Sequence, residues 1–155
     1  MDSIREQLQL LVRRFGLLNA ACCDVCCGED VSPVQSHILF EIRRQVTPSM
    51  LQVAEELGMD ITTFSRQIKT LEANGLVVRR QSAKDRRVSL LELTDAGTEV
   101  MARIDLFMTG KIDQLFTVMT PFERQVVTRS LGLLNEKIAG VAPLTPAGKT
   151  VACCK

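Results

Sequence analysis

Three features of this 155-residue chain predict a mainly α domain with one small β-hairpin. Apolar residues recur at helical spacing over most of the sequence. The aromatic content is only 4%, with no Trp and no Tyr, which points to aliphatic helix packing rather than a sandwich. A single pair of β-patterned segments flanks a polar, basic turn. The length fits one domain, with or without a helical extension, that buries a real core. With so few aromatics, stacking on nucleic-acid bases is not expected.

The first helix is predicted over residues 2 to about 27. Ile4, Leu8, Leu11, Phe15, Leu18 and Cys22 follow one another at steps of three and four, the period of a single buried stripe. Leu10 and Leu17 add a second apolar edge, as in a helix clasped from two sides in a dimer, and Gly28 is the expected stop. Ser32-Pro33 opens the next helix with a capping serine and a proline in the first turn; it runs through Ile38, Leu39 and Ile42 and ends near Val46, before Pro48. A short helix from Ser49 through Leu57 is closed by Gly58. Asp60 caps the helix Ile61 to Asn74, whose apolar positions Ile61, Phe64, Ile68 and Leu71 leave Thr62, Thr63, Ser65, Arg66, Gln67 and Lys69 largely free.

Past Asn74-Gly75, residues 76–80 and 88–93 read as strands joined by the turn Ser82-Ala83-Lys84-Asp85-Arg86-Arg87. Thr94 starts a long helix reaching Met119, with a bend expected at Gly110, and Thr120-Pro121 starts the last helix, through Ile138. Met101, Met108 and Met119 fall on the apolar face and read as core. Beyond Gly140 a loose tail with Pro143, Pro146 and Gly148 ends in Cys153-Cys154-Lys155.

The net charge of +1 conceals an uneven distribution. From Ile61 to Leu90 stand Arg66, Lys69, Arg79, Arg80, Lys84, Arg86 and Arg87 against Glu72 and Asp85, a surplus of +5 that leaves about −4 for the rest. A basic middle between mildly acidic ends implies a face that meets a polyanion. Short helix, tight turn, polar-faced helix and basic hairpin, in that order, form a winged helix-turn-helix. There the second helix enters the major groove, where Thr62, Thr63, Ser65, Arg66, Gln67 and Lys69 reach base edges and phosphates. Arg86 or Arg87 at the hairpin tip reaches an adjacent minor groove, and Lys84 holds phosphate.

The segments Val53-Ala54-Glu55-Glu56-Leu57-Gly58, Thr62 to Val77, and Asp85-Arg86-Arg87 followed by Leu93-Thr94-Asp95-Ala96-Gly97 resemble the MarR-type transcriptional regulators. The resemblance covers about residues 2 to 140. It implies a homodimer whose first and last helices interlock, with two wings straddling a pseudo-palindromic operator of double-stranded DNA. Half-sites then lie roughly one helical turn apart. It also implies that Asp85 braces the wing while Arg87 or its neighbour contacts DNA. The expected division is a helical dimerisation region (1–30 and 95–140), a DNA-binding lobe (31–94) and a flexible cysteine-containing tail (141–155).

All six cysteines come as adjacent pairs, Cys22-Cys23, Cys26-Cys27 and Cys153-Cys154, outside the DNA-binding lobe. No apolar run approaches the ~20 residues of a membrane span and no signal peptide is evident, so a cytoplasmic chain with reduced thiols is expected. If the first helix persists to Cys27, a step of ~100° per residue places Cys22, Cys26, Cys23 and Cys27 on one side, with the tail pair as supplement. Thiolate-only ligation favours zinc, cadmium, mercury, copper(I), trivalent arsenic or an iron-sulfur cluster over hard ions. Spacing alone leaves metal sensing, thiol oxidation and a structural role open. The peroxide-sensing relatives pair a reactive cysteine with tyrosines, which this chain lacks. His37, the only histidine, reads as a surface or cap residue. No phosphate loop, Cys-x-x-Cys opening a βαβ unit, or carboxylate-histidine constellation supports an enzyme such as a thiol oxidoreductase. An adaptor would not require the basic hairpin. The expected function is a repressor released from DNA when the cysteines bind a soft metal or metalloid.

Overall fold

The computed structural model describes residues 3–14 and 31–141. In chain order these form α1 (Ile4–Arg14), α2 (Pro33–Gln45), α3 (Met50–Glu56), α4 (Ile61–Ala73), β1 (Val77–Gln81), β2 (Ser89–Leu93), α5 (Asp95–Thr117) and α6 (Pro121–Ala139). Cys22, Cys23, Cys26, Cys27, Cys153 and Cys154 lie outside the described residues, as does the predicted continuation of the first helix beyond Arg14.

Ser32 caps its helix as expected, and Ser49 and Thr120, expected only as helix starts, do the same. Ser32, Ser49 and Thr120 each accept from the backbone N–H three residues on, while Gln35, Gln52 and Glu123 accept from the cap residue's own N–H. Two otherwise unpaired donors are satisfied at each of these helix starts. Gly58 and Gly75 follow α3 and α4 with φ of 61° and 69°, a left-handed conformation that glycine adopts without a side-chain clash. The long helix α5 is continuous from Asp95 to Thr117, with Gly110 inside it. The strands are shifted by about a residue from their expected starts, pairing antiparallel from Val77 opposite Leu93 to Gln81 opposite Ser89.

One core holds the middle of the chain together. Ile38, Leu39 and Ile42 of α2 meet Val53 and Ala54 of α3, Phe64, Ile68 and Leu71 of α4, Val77 and Leu91 of the hairpin, and Val100 and Met101 of α5. Each large side chain so buried contributes about 1.5–3 kcal/mol. The two buried polar side chains among the described residues are satisfied: Gln35 belongs to its capping box, and Glu41 accepts from Arg44 and Gln45.

Two backbone features tie the pieces together. Between α2 and α3, Val46 and Thr47 both have positive φ, 54° and 57°, although neither is glycine. Such residues cost of order 1–3 kcal/mol each and persist where their surroundings impose the conformation. The constraint lies just beyond them: the carbonyl of Pro48 accepts from Leu91 N–H at 2.8 Å, and Ser49 bridges Leu90, so the linker adds a rung to the hairpin. At the other end of the hairpin, Thr94 N–H donates to the carbonyl of Leu76 at 3.1 Å, and its hydroxyl donates to that of Gly75 at 2.6 Å. Here α5 passes so close that a Cβ on Gly97 would lie 2.0 Å from the Leu76 carbonyl oxygen.

Candidate nucleic-acid interface

The burial pattern divides α4 into two faces. Phe64, Ile68 and Leu71 are wholly buried, whereas Thr62, Thr63, Arg66, Lys69 and Thr70 are exposed and Ser65 and Gln67 partly so. Spacings of three and four residues produce both faces, since 3.6 residues make one turn. The open face thus presents hydroxyls, an amide, a guanidinium and an ammonium. The carboxylate of Asp60 accepts from Thr63 N–H at 2.9 Å and closes the first turn. Hydrogen bonding by the side chain and backbone of Thr63 holds this carboxyl below its ordinary pKa, with a smaller contribution from the charge of Arg66.

The basic segment separates into paired and free cations. Arg79 of β1 donates to both carboxylate oxygens of Glu72 on α4, and its guanidinium also lies 3.7 Å from the sulfur of Met50 on α3. The Glu72 partnership raises the Arg79 pKa further above its ordinary value. Arg80 pairs with Glu92 across the hairpin at 2.8 Å. These two arginines, counted in the basic surplus, therefore fix the wing strands to the helix and to each other. Arg66, Lys69, Lys84 and Arg86 make no ion pair among the described residues, and they are exposed.

The turn at the hairpin tip is braced from within. Asp85 Oδ1 accepts from Arg87 N–H at 2.9 Å, and the Asp85 carbonyl accepts from Val88 N–H at 2.9 Å. The Arg87 side chain remains 94% exposed, with Nε 3.5 Å from Asp85. A loose contact at that exposure is worth little and leaves the guanidinium available.

Not all of this was visible in the sequence. The Arg79–Glu72 contact joins a strand to a preceding helix, and no local spacing announces it. The Arg80–Glu92 pair follows from the register: Glu92 stands opposite Val78, two residues from Arg80 on the same sheet face. Ile61, expected in the buried stripe, is instead 48% exposed because it precedes the turn that packs on the core. His37 is exposed on α2, in agreement with a surface reading.

Comparison with known proteins places this geometry. Residues 31–89, which span the lobe and most of the wing, match the MarR family. The HTH-type transcriptional regulator YfiV of Bacillus subtilis (strain 168) is 25% identical over 111 residues, 70% of this chain and 68% of that protein. The structure of Streptococcus pneumoniae FabT in complex with DNA is similar with a TM-score of 0.79 and 22% identity, covering 90% of this chain and 97% of that one. The PcaV transcriptional regulator of Streptomyces coelicolor, in complex with its natural ligand, is similar with a TM-score of 0.64 and 20% identity, covering 88% and 96% of the two chains. Over residues 31–89 the chain thus matches the MarR family, and it has the winged helix-turn-helix fold of these solved structures.

Proposed function

We propose that this chain is a homodimeric repressor that grips a pseudo-palindromic DNA operator with α4 and the wing. A soft metal or metalloid ion at the paired cysteines releases it. The observation that carries the DNA reading is the open face of α4: its donors are exposed and its cations unpaired, while the neighbouring Arg79 and Arg80 are spent on holding the wing. The likeness to FabT, solved in complex with DNA, supports the DNA-binding reading.

The homodimer is supported by the apolar side chains exposed on α1 (Ile4, Leu8, Leu11), on distal α5 (Leu106, Ile112, Leu115) and on α6 (Val126, Leu131, Leu134, Ile138). Apolar surface of that extent on a soluble chain marks a partner interface.

The effector reading rests on the donor chemistry of the sequence. Cys22, Cys23, Cys26, Cys27, Cys153 and Cys154 form an all-thiol set, suited to trivalent arsenic, mercury, copper(I), cadmium, zinc or an iron-sulfur cluster. Among the described residues no group of three or more His, Cys, Asp or Glu side chains is placed to hold a metal.

Electrophoretic mobility shift on the DNA upstream of its own coding sequence tests the first reading. A shift is expected, weakened by about 1–3 kcal/mol in Arg66→Ala and in Arg87→Ala if each reads a base, with unchanged circular dichroism. Wild-type affinity in both variants refutes the reader assignment. Titration with arsenite, mercury, copper(I) and zinc, with metal stoichiometry measured on the reduced protein, tests the second. Serine at Cys22, Cys23, Cys26 and Cys27 is expected to spare DNA binding and abolish release; release that persists excludes this cluster.

A further inference from the structure

We propose that Ile61 is a specificity residue that reads the 5-methyl group of thymine in the major groove. The proposal rests on the DNA-binding reading above and deepens it. Of the four large apolar side chains on α4, Phe64, Ile68 and Leu71 are fully buried, whereas Ile61 is 48% exposed. It is the first residue of the helix, directly after the cap. In a helix-turn-helix, the N-terminal residues of the second helix are those that contact base edges.

The surroundings of Ile61 narrow what it can recognise. Asp60 before it is committed to the Thr63 amide at 2.9 Å, so its carboxylate is engaged within the helix start. Thr62 and Thr63 after it, and Arg66 one turn on, supply polar contacts. Ile61 has no hydrogen-bonding group and gains only by shedding water against another apolar surface. Base edges in the major groove present donors, acceptors and one apolar group, the thymine methyl. Ile61 and that methyl are therefore complementary.

The experiment begins with selection of bound duplexes from a randomised double-stranded DNA library at fixed salt. Each thymine of the selected site is then replaced singly by deoxyuridine, which lacks only the methyl. Affinities are measured by fluorescence anisotropy for the wild type and Ile61→Ala. One thymine per half-site is expected at which deoxyuridine weakens wild-type binding about fourfold, the equivalent of burying one methyl group. At that position Ile61→Ala is expected to bind thymine and deoxyuridine equally. Wild-type indifference to deoxyuridine at every position overturns the proposal, as does a deoxyuridine effect that survives undiminished in Ile61→Ala. Failure to select any duplex instead removes the DNA-binding reading and the proposal with it, and is distinguished by loss of binding itself rather than of discrimination.

Discussion

The lobe between Val31 and Met101 contains all 14 apolar core side chains found among the described residues, while α6, 19 residues long, contains none. The two regions carry similar aliphatic residues. What differs is whether their apolar stripes have found a facing surface. In the lobe, three short helices and a hairpin surround one another, and Phe64, Ile68 and Leu71 are sealed. On α6, Val126, Leu131, Leu134 and Ile138 stay 41–53% exposed. Helix propensity alone is weak support for an element of that length, and packing of an apolar face is what normally stabilises it. The lobe proposed to read DNA is thus complete within one chain, and the helices outside it present a surface suited to a second.

The largest effect that tests this contrast is Phe64→Ala. It should destabilise the lobe by about 3–5 kcal/mol, read by denaturant unfolding. The paired change Leu131→Glu and Leu134→Glu should leave the lobe's circular dichroism intact and shift sedimentation equilibrium from dimer to monomer. A monomeric wild type, or a double variant that stays dimeric, breaks the assignment of α6 as a partner surface.

Next in size is Gly97→Ala, which tests the seam where the two regions join. The added methyl meets backbone rather than a flexible side chain, so about 1–3 kcal/mol of stability should be lost. An unchanged melting temperature would show that the seam can open without cost.

The smallest effect concerns the cap of the reader helix. Asp60 has its carboxyl pKa lowered by hydrogen bonds from Thr63, so the unfolded chain binds this proton more readily than the folded one. The stabilisation is fully present above the ordinary aspartate range and is lost as pH falls through the depressed folded value. Thermal melts across the acid range should therefore show a shallower decline for Asp60→Asn than for the wild type. Parallel curves would remove Asp60 from the pH response.

The sequence-based reading and the structure agree where the physical signal is local. Ser32 and Asp60 cap their helices as expected, and Ser49, Thr94 and Thr120 start theirs where expected and cap them, because a cap needs only its own side chain and the amide of the next turn. Glycines after α3 and α4 mark their ends for the same reason. Agreement fails where contacts span the chain. The Arg79–Glu72 pair converts an apparent DNA contact into a strut, and the Pro48–Leu91 hydrogen bond ties a helix linker to the hairpin. Neither follows from periodicity, since each depends on which elements meet. The exposed donors of α4 were legible because a narrow apolar stripe defines its opposite face. Ile61 was expected to be buried with its stripe and is half exposed, because period alone does not say where a stripe begins to touch the core.

The close seam at Gly97 has a mechanical consequence. With the Thr94 hydrogen bonds to Gly75 and Leu76, it makes the end of the reader helix and the start of α5 parts of one lever. The 23 residues of α5 give that lever a length of about 34 Å. A tilt of about 5° pivoting at its far end carries the reader through about 3 Å, close to the 3.4 Å between successive base pairs. Small changes of angle at the distal end of α5 would thereby move α4 by distances comparable to the spacing of successive base pairs.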